Sequence, residues 1–226
     1  MARSIIVTGG FGVLGQAVAQ AFRAQGDKVA RIDFAAQPPA PIDGVLDIGG
    51  IDLTDAESTR SAIGRVVAEH GGIDVLVNVA GGFAWETVES GSLTTFARMT
   101  AMNLTTTATI TQLALPALKE SEAGRIINIG AGGAVKAASG MAAYAASKSG
   151  VHRLTEALAD ELTGTRVTAN AILPSIIDTP TNRADMPDAD FSAWVSPQAA
   201  AKVIVLLASP DAGAISGALI PVSRGG

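Results

Sequence analysis

"SIIVTGGFGVLG" (residues 4–15) decides the fold of this chain. The run Ile5-Ile6-Val7 is short, apolar and β-branched, and it ends in glycine. That is the signature of a strand buried on both faces. Gly10, Gly12 and Gly15 then satisfy the spacing G-x-G-x-x-G, and a helix-length segment (13–25) follows. Glycines in that context permit a tight turn, let backbone approach a pyrophosphate, and leave the phosphates on a helix N-terminus. Glycine-rich turns are common, so the weight lies in the strand before, the helix after and an acid downstream. Asp33 closes the second strand, eighteen residues past Gly15. A carboxylate there bonds ribose hydroxyls and repels a 2′-phosphate, which favours NAD(H) over NADP(H). Arg31 shares its face on alternation, so NADP(H) stays open. The plainer reading of Asp33 is a turn residue.

The same alternation extends outward. Residues 4–9, 28–33, 73–81, 124–130, 167–174 and 217–222 read as strands, and 13–25, 55–70, 94–119, 142–163 and 197–208 as helices. Thr54 with Glu57 fits a capping box, and Ser196-Pro197 fits an N-cap followed by an N1 proline. Strand and helix alternating over residues 1–226 predict one α/β domain, a doubly wound parallel sheet with helices on both faces. "AAQPPAPIDG" (35–44) reads as a surface loop. "SIIDTPTNRADMPDADFSAW" (175–194) is long, polar and proline-punctuated, and loops of that length usually serve function.

Composition narrows the classes. The chain has 226 residues, 48% hydrophobic, and a net charge of −5. Nothing is a basic footprint for nucleic acid or an anionic membrane. Without cysteine, thiolate chemistry and Cys-ligated metals are excluded, and His70 and His152 are too few to suggest a metal site. No apolar run suits a membrane span, and no signal peptide is expected, so the expected location is the cytoplasm. Charged residues make up only 16%, against roughly 25% in typical chains. That predicts surface hidden in a homodimer or homotetramer, through 94–119 and 142–163. An Ala/Gly-rich composition explains the same number more plainly.

"YAASK" (144–148) carries the chemistry. Tyr144 and Lys148 are four apart, on one helical face, and Tyr144 is the only tyrosine. A phenol near pKa 10 is a poor base at neutral pH, and an ammonium one turn away, together with a positive nicotinamide, is expected to pull it down. "NVAGG" (78–82) ends a strand in small residues, as close backbone approach by a cofactor requires. Asp52 of "IDLTD" is offered to the adenine edge, or else belongs to a helix-capping cluster.

"TGGFGVLG", "NVAGG", "MNLTT", "YAASK" and "LPSIIDT" occur in the order and spacing of the short-chain dehydrogenases/reductases, which this chain resembles over essentially its whole length. The resemblance implies a Rossmann fold, NAD(P)(H) and hydride transfer at a carbonyl-like carbon. It implies that Tyr144 donates or accepts the proton, that Lys148 binds the nicotinamide ribose, and that Asn103 holds a water in the relay. The alternative for Asn103 is a structural helix kink. The implied cofactor groove comprises Gly9, Gly12, Val13, Leu14, Gly15, Asp33, Asp52, Leu53, Asn78, Ala80, Gly81, Tyr144, Lys148, Pro174, Ile177 and Thr179.

One family element is missing. Thirteen residues before Tyr144 the family keeps a serine that donates to the substrate oxygen, and here residue 131 is alanine. A single such donor is worth roughly 10²–10³ in rate. Either the acceptor needs no donor, another group such as Ser139 replaces it, or the chain binds NAD with little catalysis and acts as a regulator. "AILPSIIDTPTNRADMPDADFSAW" (171–194), "VAGGFA" (79–84), "AFRAQGDKVARID" (21–33) and "SGALIPV" (216–222) bear a narrower resemblance to the dihydropteridine reductase family and related bacterial reductases. That family also has alanine at the serine position. The resemblance implies an NADH-dependent reductase of an activated, flat acceptor, with quinonoid dihydropteridine as best guess. The competing expectation is a ketone or aldehyde reductase of broad range. Phe83, Trp85, Met141, Asn182, Arg183 and Trp194 are the candidate contacts for the small-molecule substrate, core packing or a structural role being the plainer reading of each.

Overall fold

The computed structural model describes residues 2–224. In chain order the elements are β1 (Ser4–Thr8), α1 (Val13–Ala24), β2 (Lys28–Ile32), β3 (Val45–Ile48), α2 (Ala56–His70), β4 (Val75–Asn78), α3 (Leu93–Met99), a π-helical segment (Thr100–Thr105), α4 (Thr106–Glu120), β5 (Arg125–Ile129), α5 (Ala142–Glu161), β6 (Thr168–Pro174), α6 (Pro180–Asp185), α7 (Pro197–Leu207) and β7 (Leu219–Val222). The seven strands form one parallel sheet in the order β3-β2-β1-β4-β5-β6-β7. The order reverses beside β1, so β2 and β4 flank it and their following loops diverge. That divergence opens the crevice where such sheets bind ligands.

The continuous apolar strands follow from helices on both faces. Ile5 and Val7 of β1 point into a core with Phe22 of α1 and Ile204 of α7. Ile6, between them, joins the opposite core with Val66 of α2, Ile110 of α4 and Leu158 of α5. Each residue of a two-sided strand therefore removes apolar surface from water, at roughly 25 cal/mol per Å². No helix among the described residues is long and apolar enough to cross a membrane.

The structure departs from the sequence reading in four places. β3 is a seventh strand that the hydropathy pattern does not mark. It has four residues, lies at the sheet edge, and carries Asp47 in its middle. Its pairing comes from β2, where Asp47 bonds Arg31. The helix expected at 94–119 is α3, a π-helical segment and α4 in succession. Within 175–194, residues 180–185 are helical, with Thr179 as N-cap accepting from the Asn182 N–H and Pro180 at the first turn. The α2 N-cap is Asp55, which accepts from the Ser58 N–H, and not Thr54. Thr54 instead donates its hydroxyl and its N–H to Asp52. A carboxylate one residue nearer the helix is the stronger acceptor for its orphan N–H groups.

Candidate active site

The glycine loop closes on itself. Gly9 has φ +59°, and a Cβ on it would lie 2.8 Å from the Ala80 backbone nitrogen. A Cβ on Gly15 would meet the Gly9 carbonyl and the Gly10 Cα. Neither position has room for a side chain, so helix, loop and the end of β4 pack backbone to backbone. Gly12 caps α1 without a side-chain bond, which leaves the first-turn N–H groups open to an anion. A cavity of about 860 Å³ lies over this turn, lined among others by Gly9, Gly12, Val13, Leu14, Gly15, Asp33, Asp52, Leu53, Ala80, Gly81 and Thr179. Asp33 is held by two backbone N–H groups, those of Phe11 and Ala35, each at 2.9 Å. Its carboxylate is thereby held in place on the groove wall.

Arg31 does not share that wall. Its guanidinium is fully buried, forks onto Asp47 at 2.7 and 2.8 Å, and donates to the Ala40 carbonyl. The Phe11 ring covers it at 5.3 Å. Asp52 lines the groove and accepts from the Thr54 N–H and hydroxyl, beside the α2 N-cap Asp55. Asn78 is brought elsewhere: its side chain lies buried between Thr111 and Asn128, and Asn128 continues the chain to Thr155. A strand covered on both faces has no solvent side, and here the Asn78 amide faces the helices.

A second cavity, about 1050 Å³, adjoins the first and shares Leu14, Val79, Gly81 and Thr179 with it. It holds Tyr144, Lys148, Ala131, Phe83, Trp85, Met141, Pro174, Ile177 and Asn182. Tyr144 meets the Phe83 ring edge-on, centroids 4.9 Å apart. Lys148 is buried and donates to the Ile129 carbonyl at 2.7 Å. Burial pushes the Tyr144 phenol up to about 12 and the Lys148 ammonium down to about 8. In the free protein burial dominates both shifts; the lowering expected for the phenol requires the nicotinamide charge as well as Lys148. At neutral pH Tyr144 is a neutral phenol, hence a proton donor.

Asn103 is fully buried and sits in the π-helical segment. Its amide clamps Gly82 both ways: Oδ1 accepts from the Gly82 N–H at 2.9 Å, and Nδ2 donates to the Gly82 carbonyl at 3.1 Å. Nδ2 also donates to the Ser147 hydroxyl, which in turn donates to the Tyr144 carbonyl. A Cβ at Gly81 would fall 2.6 Å from Asn103 Oδ1 and 3.3 Å from Lys148 Nζ. The helix irregularity that is the alternative reading of Asn103 is present as this π-helical segment, and Asn103 lies against the "AGG" turn. Local π-geometry of this kind recurs at functional sites.

Where a serine would stand, Ala131 packs with Ala134 and Ala145 against Met141 and Tyr144. Its N–H donates to His152 Nε2 at 3.2 Å, so that nitrogen is the unprotonated one. Burial holds the His152 imidazolium below its ordinary range, in keeping with this role. His152, Ser147 and α6 are the parts the sequence reading misses. The signal for α6 was present, since Thr179-Pro180 repeats the Ser196-Pro197 cap.

Two candidate substrate residues are corrected. Arg183 forks onto Asp178 at 2.6 and 2.8 Å and stacks over Phe191, away from the cavity. Trp194 is buried against Phe191 and does not line it. Both tie the 175–194 loop together, and Ile177 pairs with Val195 across its base. Trp85 is exposed at the cavity mouth, close over Gly140. Asn182 lines the cavity with its amide donated to the Ile177 carbonyl.

Comparison with known proteins agrees with this geometry. The family model described as short chain dehydrogenase matches residues 3–190. The 3-oxoacyl-[acyl-carrier-protein] reductase MabA of Mycobacterium tuberculosis is 34% identical, over 100% of this chain and 93% of the relative. Acetoacetyl-CoA reductase of Shinella zoogloeoides is 32% identical, over 100% and 98%. The ligand-free structure of Thermoplasma acidophilum aldohexose dehydrogenase superposes with a TM-score of 0.89 at 26% identity, covering 98% of this chain and 92% of that one.

Proposed function

The chain belongs to the short-chain dehydrogenase family, and from that membership we propose an NADH-dependent reductase of a flat, already activated acceptor, with quinonoid dihydropteridine as the best example. As a member of the family it is an oxidoreductase that uses NAD(P)(H). When bound, the reduced nicotinamide supplies the hydride. The chain's own part is to bind, orient and protonate. The glycine turn and the open first turn of α1 receive the pyrophosphate, and Asp33 the adenosine ribose. Arg31, locked to Asp47, is withheld from a 2′-phosphate, which supports the NADH preference. Lys148 and the Asn103-clamped turn border the nicotinamide end, and Tyr144 Oη delivers the proton.

The observation that carries the acceptor class is Ala131. Its methyl group occupies the place of a donor hydroxyl beside Tyr144, within an apolar patch of alanines. A ketone develops full charge on one oxygen and profits from two donors. A quinonoid ring spreads that charge over its own heteroatoms. Phe83 and Trp85 line the cavity with aromatic surface on which such a ring can stack. Ala131→Ser is the test. It should raise ketone turnover by roughly 10²–10³ and leave quinonoid reduction nearly unchanged. An equal gain on both acceptors would contradict the reading.

A second reading is favoured by the relatives, whose names specify 3-oxoacyl and acetoacetyl substrates. In it the chain reduces a ketone, with a bound water or Ser139 as second donor. Wild-type turnover of simple ketones at a rate unaffected by Ala131→Ser would select it. We also propose that the protein is a homodimer or homotetramer through α4 and α5.

A further inference from the structure

We infer that Asp185 selects acceptors bearing two adjacent N–H donors on one edge, the amidine- or guanidine-like edge of a nitrogen heterocycle. The inference rests on the reading of this cavity as a site for flat acceptors and adds what the ring must carry. The cavity wall is largely apolar, built by Phe83, Trp85, Met141, Ile176 and Met186. Two charged side chains line it, Lys148 and Asp185. Lys148 is buried, and its ammonium is committed to the Ile129 carbonyl. Asp185 is exposed at the end of α6, and its carboxylate has no hydrogen bond or ion pair among the described residues.

Most of the other charged and amide groups of this loop are paired. Asp178 and Arg183 hold each other, the Asn182 amide serves Ile177, and Asp190 serves Ser192. Of the two charged residues that line the cavity, Asp185 alone has no partner among the described residues, so both of its carboxylate oxygens are free to accept. The segment presenting it is fixed at both ends: Thr179 caps α6, and Arg183 stacks on Phe191 at 4.7 Å. A carboxylate on a fixed element, beside an apolar wall, accepts a parallel pair of N–H donors in the fork geometry. The same group repels an acceptor with an anionic edge. A ring stacked along Phe83 and Trp85 with its donor edge on Asp185 would satisfy wall and carboxylate together.

Pterin (2-amino-4-oxopteridine) and lumazine (2,4-dioxopteridine) separate these terms, because lumazine places an oxygen where pterin has the amino donor. Each would be titrated onto the NAD⁺-saturated protein, following the pteridine's own fluorescence. The wild type should bind pterin roughly tenfold more tightly or better, the scale of a hydrogen bond to a charged group. Asp185→Asn, with folding checked by circular dichroism, should erase most of that preference. Equal affinities in the wild type, an undiminished preference in Asp185→Asn, or no binding of either pteridine would overturn the inference. The acceptor reading fails separately. Reduction of a ketone but not of quinonoid dihydropterin would remove that reading, while the donor-edge preference would still be read from binding alone.

Discussion

Tyr144 and Lys148 are moved in opposite directions by the same cause. Burial raises the phenol to about 12 and lowers the ammonium to about 8. Two consequences follow. Tyr144 is the sole tyrosine, so tyrosinate absorbance reports on it alone. In the free protein that absorbance should stay absent through pH 10, and a midpoint at or below 10 would contradict the burial argument. The second concerns Lys148, which is charged below its pKa. The charge proposed to orient the nicotinamide ribose is therefore present below about 8 and lost as pH rises through it. Reductive kcat/KM should be flat on the acid side and fall above about pH 8; a profile level to pH 10 would contradict this. Tyr144→Phe should lower kcat by roughly 10²–10⁴, the worth of a positioned proton donor. That both residues line one cavity was legible, because it depends on residue types at helical spacing. The direction of the phenol's shift was not, because it depends on burial that only the folded chain defines. Asn78 failed for a related reason: small residues after β4 marked the turn correctly, but not which way the last strand side chain points.

At the level of elements, the glycine turn and the π-helical segment do the positioning. The turn could be read because glycine is demanded by backbone contact, as Gly9 and Gly15 show. The π-helical segment could not, because nothing in "TAMNLT" breaks a helical pattern. Its cause lies in Asn103 clamping Gly82. Asn103→Ala should remove the protein partner of the half-buried Gly82 N–H and carbonyl, costing about 1 kcal/mol per lost bond. It should lower thermal stability and weaken NADH binding together, as melting and fluorescence titration would read. An unchanged Kd for NADH would mean that the clamp does not set the groove. Edge strand β3 was hidden by its Asp47, which serves Arg31 rather than the sheet. That pairing also bears on the cofactor. Asp33→Ala should weaken NADH and narrow its advantage over NADPH, whereas equal affinity of the wild type for both would contradict the assignment.

On the scale of the whole molecule, alternation of strand and helix specified the parallel sheet and the order reversal beside β1 locates its crevice. Every strand but the edge strand β3 was visible, because burial on both faces leaves an uninterrupted apolar run. Assembly is the property least tied to this internal logic. Light scattering at micromolar concentration should give a dimer or tetramer, and a monomer would refute the proposed α4–α5 interface. In the proposed reading the acceptor class follows from what stands beside Tyr144, and that is a methyl group. The most direct measurement is oxidation of NADH by the wild-type protein with freshly generated quinonoid dihydropterin, run beside a panel of ketones and aldehydes. Fast turnover of the quinonoid ring, lost in Tyr144→Phe, with slow turnover of the carbonyl compounds is the predicted result. A clear rate on a ketone with none on the quinonoid ring would contradict the account.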